Sequence, residues 1–296
     1  MTLQEFLARC SEFEESRDPA SGLLLCEEFL ATGVRGRSLA FCLRYKAVFL
    51  LRANLGWATE ATVHLRQALE LFKNDPVDQA PVLSTMITAY AMFGRFDMAY
   101  QYAGQFFELV EQNPDPEIRL YIPRVWFNLA YAYDAAGQYE RAAEAYSQAY
   151  DEALIAPDKL NPGLAAHNLV QMLLELGRVD DALKMLQASK AHLEEGEVGS
   201  FMKNQEALYL LATGQIDDAG AACRDALAHP SCPERVRAEV LFTQARLAHA
   251  LDAHQDRDRI ANEALDIVIR LPHPRLSRKI NMFAVAVRNR EEVPES

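Results

Sequence analysis

The chain is poor in what a motif-based enzyme or a covalently stapled domain needs. Its five cysteines, Cys10, Cys26, Cys42, Cys223 and Cys232, are odd in number and none forms a C-x-x-C pair, which argues against a disulfide framework and a thiolate zinc site. The seven histidines are scattered, and His249 and His254, five residues apart, do not share a helix face as a ligand pair would. G-x-S-x-G, a P-loop, H-E-x-x-H and a dinucleotide-binding glycine fingerprint are all missing. Long apolar runs are missing too: even LAFCLRYKAVFLLRANLG is broken by charges, so no transmembrane helix is expected. The start, MTLQEFLARCSEFEESRDP, has no basic region followed by an apolar run, and a cytoplasmic location is expected. Base is scarce: 30 Lys and Arg stand against 42 Asp and Glu, for a net charge of −12, which disfavours binding to nucleic-acid phosphates. No strand pattern is convincing. With 50% hydrophobic and 24% charged residues, the balance is that of an ordinary soluble protein.

What is present is helical periodicity. In WFNLAYAYDAAGQYERAAEAYSQAY, Trp126, Leu129, Ala130 and Tyr133 fall at i, i+3, i+4 and i+7 and share one apolar stripe. Gly137 ends that helix, and Ala142, Ala145, Tyr146 and Ala149 form the stripe of a second one, whose small residues let the two axes approach. The spacing predicts an antiparallel helical hairpin, which needs neighbours to cover its open faces. They are at hand: Gly56, Gly94, Gly137, Gly177 and Gly214 are each followed five residues later by Ala61, Ala99, Ala142, Ala182 and Ala219, at intervals of 38, 43, 40 and 37 residues. Such a register is the signature of a tandem helical array. Acid pairs such as Asp180–Asp181 and Asp217–Asp218 recur after these glycines, where helix dipole and capping account for them without acid–base chemistry. No enzyme activity, metal or cofactor is expected.

The unit resembles the tetratricopeptide repeat (TPR). That motif's aromatic, leucine, small residue, tyrosine, turn glycine, alanine, aromatic and alanine correspond to Trp126, Leu129, Ala130, Tyr133, Gly137, Ala142, Tyr146 and Ala149. Its closing proline has no counterpart at Leu154; Pro157 comes three residues later. The other units keep less of the motif, and all exceed its usual period of about 34 residues. The resemblance implies an all-α, right-handed superhelix of about seven hairpins plus a C-terminal capping helix. The expected organisation is one domain over residues 1–296. A degenerate helix pair fills 1–35, with Asp18 as N-cap and Pro19 at the first helical position; five units fill 36–230, and a divergent last pair with the capping helix fills 231–296. Pro123 either starts a helix or kinks one.

In such an array the first helix of each unit lines the concave side. The inward set is Arg124, Phe127, Asn128, Tyr131 and Asp134 in the strongest unit, and Leu164, His167, Asn168, Gln171 and Glu175 in the next; Asn204 and Gln205 follow. Primary amides donate and accept at once and so match an extended peptide backbone; asparagine at this place can equally bond between helices. The candidate contacts for a protein or extended peptide are Lys46, Asn128, Tyr131, His167, Asn168, Gln171 and Asn204. A carboxylate clamp is not expected, since Leu50 stands where a clamp asparagine would follow Lys46, and Ser84, Thr85 and Thr88 lack a basic neighbour. A weaker similarity to the TPR domains of bacterial peptide-pheromone receptors implies a peptide-responsive regulator, though only some 35 residues precede the first clear unit, which leaves no evident DNA-binding domain. The other alternative is a structural or oligomerising subunit; a homo-oligomer is left open. Cys10, Cys26 and Cys42, spaced by 16, read as small core residues. The acid-free stretch holding Arg270, Arg275, Arg278, Lys279, Arg288 and Arg290 reads as a solvated face of the capping helix.

Overall fold

The computed structural model describes residues 1–16, 18–53, 58–156, 160–189, 198–230, 232–270 and 274–288. Gly56, Pro157 and Arg290, used in the reading above, lie outside them. Among the described residues every regular element is a helix. The chain forms two compact units, Met1–Ala132 and Tyr133–Ser296.

In the first unit α1 (Leu3–Glu15) pairs with α2 (Pro19–Ala31), α3 (Gly36–Ala53) with α4 (Ala58–Leu71), and α5 (Pro76–Met92) with α6 (Phe96–Gln112). A single turn, α7 (Pro116–Arg119), precedes α8 (Ile122–Ala135). Local chemistry sets these boundaries. Thr2 accepts from the Glu5 N–H while Glu5 reaches back to the Thr2 N–H, a capping box. Asp18, Asp75 and Asp115 cap α2, α5 and α7, each with proline in the first turn, where its missing N–H costs nothing. Pro123 sits in the first turn of α8, so that helix starts there. Phe6, Cys10, Leu25, Cys26, Phe29, Cys42, Tyr45 and Phe49 make the core of the first hairpin and α3. The rings of Phe6 and Phe29 stack at 4.3 Å. All three cysteines spaced by 16 meet in this core, where the Cys42 thiol donates to the Cys26 carbonyl at 3.4 Å. The neighbouring thiols of Cys10 and Cys42, with burial, push the Cys26 thiol far up, so it packs as a protonated small hydrophobe.

In the second unit the end of α8 leads through Gly137 into α9 (Tyr139–Ile155); α10 (Pro162–Glu175) pairs with α11 (Val179–Ser189), α12 (Val198–Ala212) with α13 (Ile216–Ala228), and α14 (Glu234–Ala250) with α15 (His254–Arg270). The helices α10, α12 and α14 pack side by side and form the unit's inner layer. Gly137 has φ +79°, and the bonds Gly137 N–H to Asp134 O (2.9 Å) and Gln138 N–H to Tyr133 O (2.9 Å) close the helix end. The same pair of bonds recurs at Gly177 and Gly214. In the divergent hairpin α14–α15, Asp252 takes that place with φ 56°, and Arg257 follows five residues later, buried where the other units carry alanine. The last helix, α16 (Pro274–Arg288), lays Leu276, Ile280 and Phe283 against Leu241, Phe242, Ile267 and Val268 of α14 and α15. Burying each of those three side chains is worth about 1.5–3 kcal/mol before the entropy of ordering the helix. Among the described residues the architecture is the all-α helical repeat expected from the sequence, ending in a terminal cap.

Candidate functional site

The cap does more than cover an end. Along α16 the apolar residues face α14 and α15, while Arg275 and Lys279, one turn apart, reach the inner side of α8 and α10. Asp134 lies in the last turn of α8 and Glu175 in the last turn of α10. The Arg275 guanidinium meets three side chains: Nε forms an ion pair with Asp134 Oδ2 at 2.7 Å, Nη1 donates to Asn168 Oδ1 at 3.0 Å, and Nη2 donates to Gln171 Oε1. Asn168 is held for this task because its Nδ2 donates to its own helix at Leu164 O, 3.0 Å, leaving Oδ1 to accept. Lys279 pairs with Glu175. Arg278 Nη1 donates to Ala135 O at 3.1 Å, at the C-terminal end of α8, where a cation meets unpaired carbonyls and the negative helix end.

The solvated face expected for this basic segment is therefore overturned for Arg275 and Lys279. The Arg275 side chain is 6% exposed and that of Asp134 is fully buried. A helix of this length, tied to α14 and α15 by its apolar stripe, can turn its other side only toward the inner layer, and the acids there neutralise what it brings. Electrostatics follow from that burial. Desolvation pushes Asp134 above the usual carboxylate range, with Arg275 the main opposing influence. Burial is the largest influence on the Arg275 charge and works against it, but Asp134 together with Tyr146, Glu239 and Glu175 outweighs it and holds the guanidinium more firmly protonated than usual. At Glu175 burial raises, and Lys279 with Arg246 and Arg275 lowers; the cations together win, and the carboxyl sits below its ordinary value. Burial pulls Lys279 down.

The remaining inward residues are also engaged by the protein itself. His167 Nε2 lies 3.5 Å from Glu239 Oε2, with its ring edge-on to Phe201. Burial pulls its pKa down, against the pull of Glu239 upward, so the ring is neutral near pH 7. Asn204, 1% exposed, accepts from the Thr243 hydroxyl at 3.0 Å, and Gln205 is fully buried. In the first unit Asn128 donates to Ser84 O at 2.9 Å and Ser84 Oγ at 3.1 Å, joining α8 to α5. Tyr131 is half-buried, as is Lys46, whose Nζ is 3.7 Å from Glu60. The structure thus brings His167, Asn168 and Gln171 together, with Asn204 on the neighbouring α12, and leaves Lys46, Asn128 and Tyr131 in the other unit. Arg275 and Lys279 were missed as site residues. The signal that pointed to them was two acids, Asp134 and Glu175, in the last turns of neighbouring inner helices, matched by a helix with four cations and no acid.

Between α16 and the inner layer a cavity of about 370 Å³ remains, bounded by Leu174, Leu208, Phe242 and Arg246 on one side and by Met282 and Phe283 on the other. Among the described residues no group of acids, histidines and cysteines is arranged to hold a metal ion, and no helix is long and apolar enough to cross a membrane.

Comparison with known proteins agrees with this architecture. Residues 123–240 match the family described as Tetratrico peptide repeat; a search of curated proteins finds no match. Among solved structures, a tetratricopeptide repeat protein from Parabacteroides merdae is 12% identical with a TM-score of 0.58, covering 95% of this chain and 98% of that one. The quorum sensor NprR from B. thuringiensis is 12% identical with a TM-score of 0.59, over 98% and 81% of the two chains. A chain of the APC/C hetero-tetramer Cut9–Hcn1 is 15% identical with a TM-score of 0.59; 95% of this chain matches 48% of that one, so the protein spans about half its length. At these identities the likeness is one of fold: the chain shares the helical-repeat architecture of these proteins, and its middle segment carries the match to the tetratricopeptide repeat family.

Proposed function

We propose that the protein is a non-catalytic scaffold of the cytoplasm that captures a protein segment or peptide on the inner faces of its hairpins. One observation carries this reading: the amides and acids of α8 and α10 already hold a protein side chain, the Arg275 guanidinium, through Asp134, Asn168 and Gln171. These are the contacts by which an inner surface recognises a polypeptide, and nothing in them asks for a reacting bond. Asn168 and Gln171 are then the leading contacts in the second unit. His167 and Asn204 build the wall behind them, and Lys46, Asn128 and Tyr131 serve the first unit. The same fold occurs in a quorum sensor and in a hetero-tetrameric assembly, so the scaffold is compatible with either kind of cargo.

Site-specific photo-cross-linking tests the reading. A photoreactive residue in place of Leu208, on the inner helix α12, should yield partner adducts in cells, whereas one in place of the exposed Lys184 on α11 should not. Adducts at Lys184 with none at Leu208 would move the interaction to the outer face and end the proposal.

A further inference from the structure

We infer that α16 is an exchangeable occupant of a receptor for basic amphipathic helices. The partner is a helix of another protein with arginine at one position, lysine four residues on, and apolar residues one, five and eight positions after the arginine, the pattern Arg275, Leu276, Lys279, Ile280 and Phe283. This rests on the protein-binding role proposed above and names the partner's chemistry and its control: the chain's own helix fills the receptor until a helix of the same pattern displaces it.

Four observations converge. First, side chains of Arg275, Arg278 and Lys279 bind the groove, so a helix supplied in trans that carries the same side chains can reproduce these contacts. Second, the contact is built on buried ion pairs, whose mutual attraction is largely spent on stripping water from both charges. A guanidinium held by two amide acceptors and one carboxylate is recognised specifically, while the net hold is modest. Third, a 370 Å³ cavity lies between α16 and the inner layer beside Met282, where matter is missing from the contact, and Met282 and Val285 of α16 stand 48% and 53% exposed. A better-fitting helix has room to improve on the resident one. Fourth, α16 carries four cations and no acid, within a chain of net charge −12. Its departure uncovers Asp134 and Glu175 and makes the rest of the chain more acidic, which draws in cationic segments and repels acidic ones.

The test uses the full chain and a fluorescent peptide with the sequence of residues 274–288. In the variant Arg275→Glu with Lys279→Glu, the resident helix faces like charges and leaves, so the peptide should bind it at least about tenfold more tightly than it binds the wild type, where the tethered helix competes. The same peptide carrying alanine at both basic positions should bind at least about tenfold more weakly. In the wild type, amide hydrogen exchange in α16 should run at least about 100-fold faster than in α14, reporting opening of the cap alone. Exchange in α16 as slow as in α14 would overturn the inference even if the variant failed to fold. So would equal peptide binding by both proteins, or a variant that forms dimers through α16 and thereby makes a second copy the occupant. The two readings fail separately: peptide binding without adducts at Leu208 sinks the cellular protein-binding role, and adducts at Leu208 without peptide binding sink this inference.

Discussion

Replacing Arg275 by alanine removes the guanidinium that Asp134 faces at 2.7 Å. If α16 stayed docked, a buried carboxylate left without its partner would cost about 3–5 kcal/mol. Two escapes limit that figure. The helix can leave, returning Asp134 to water, so the loss cannot exceed the free energy that docks α16. Alternatively Asp134 can take up a proton, and this makes the loss depend on pH. Burial already holds its pKa above the usual value, with Arg275 the strongest influence the other way; without the arginine the folded pKa rises further. Between the ordinary carboxylate value and that raised one, the folded state binds more protons than the unfolded state, so stability falls as pH rises through the window. The deficit of the variant should therefore be smaller at pH 5 than at pH 8. Native-state hydrogen exchange across α16, read at both pH values, gives the docking free energy directly. The opening constant at pH 8 should grow by two orders of magnitude or more, in keeping with roughly 3 kcal/mol at about 1.4 kcal/mol per tenfold. Adding Asp134→Asn removes the charge that needed a partner and should recover most of the loss. A deficit below about 0.5 kcal/mol, the ordinary range for surface substitutions, or one that neither pH nor Asp134→Asn changes, would refute the reasoning.

Three further outcomes follow from particular contacts. Asn128→Ala deletes the donor to Ser84 O and Oγ and should lower stability to urea by about 1–3 kcal/mol with helical content unchanged; no shift in midpoint would mean that the α5–α8 bond carries no weight. Gly137→Ala forces a side chain into φ +79° and sets its Cβ 2.9 Å from the Arg278 guanidinium; a loss of about 1–2 kcal/mol is expected from the backbone alone, and adding Arg278→Ala should relieve the crowding without removing that strain. Cys10, Cys26 and Cys42 are buried together, and the Cys26 thiol is pushed up, so in the native protein a disulfide reagent should label the half-buried Cys232 first and the trio only as fast as the first hairpin opens; prompt labelling of the trio would show a looser core.

How much of this was legible in the sequence depends on how far apart the interacting residues lie. The hairpins were readable because their determinants are local: a turn glycine and an alanine five positions on fix a helix end and a close helix–helix approach, and Asp18 and Pro19 fix a helix start within one turn. The divergent hairpin shows that the left-handed turn itself is the requirement, since Asp252 meets it without glycine. The site was not readable in the same way. Arg275 meets Asn168 and Gln171 across 107 and 104 residues, and Arg278 meets Ala135 across 143; no period or motif links positions so far apart. Composition alone favoured a solvated basic face, because a cation is ordinarily cheapest in water. What decides otherwise is that α16 must bury Leu276, Ile280 and Phe283 to cover the last hairpin, and an α-helix that presents those three residues to one side carries Arg275 and Lys279 on an adjacent face. The acids Asp134 and Glu175, one per inner helix end, turn that geometric consequence into a specific contact.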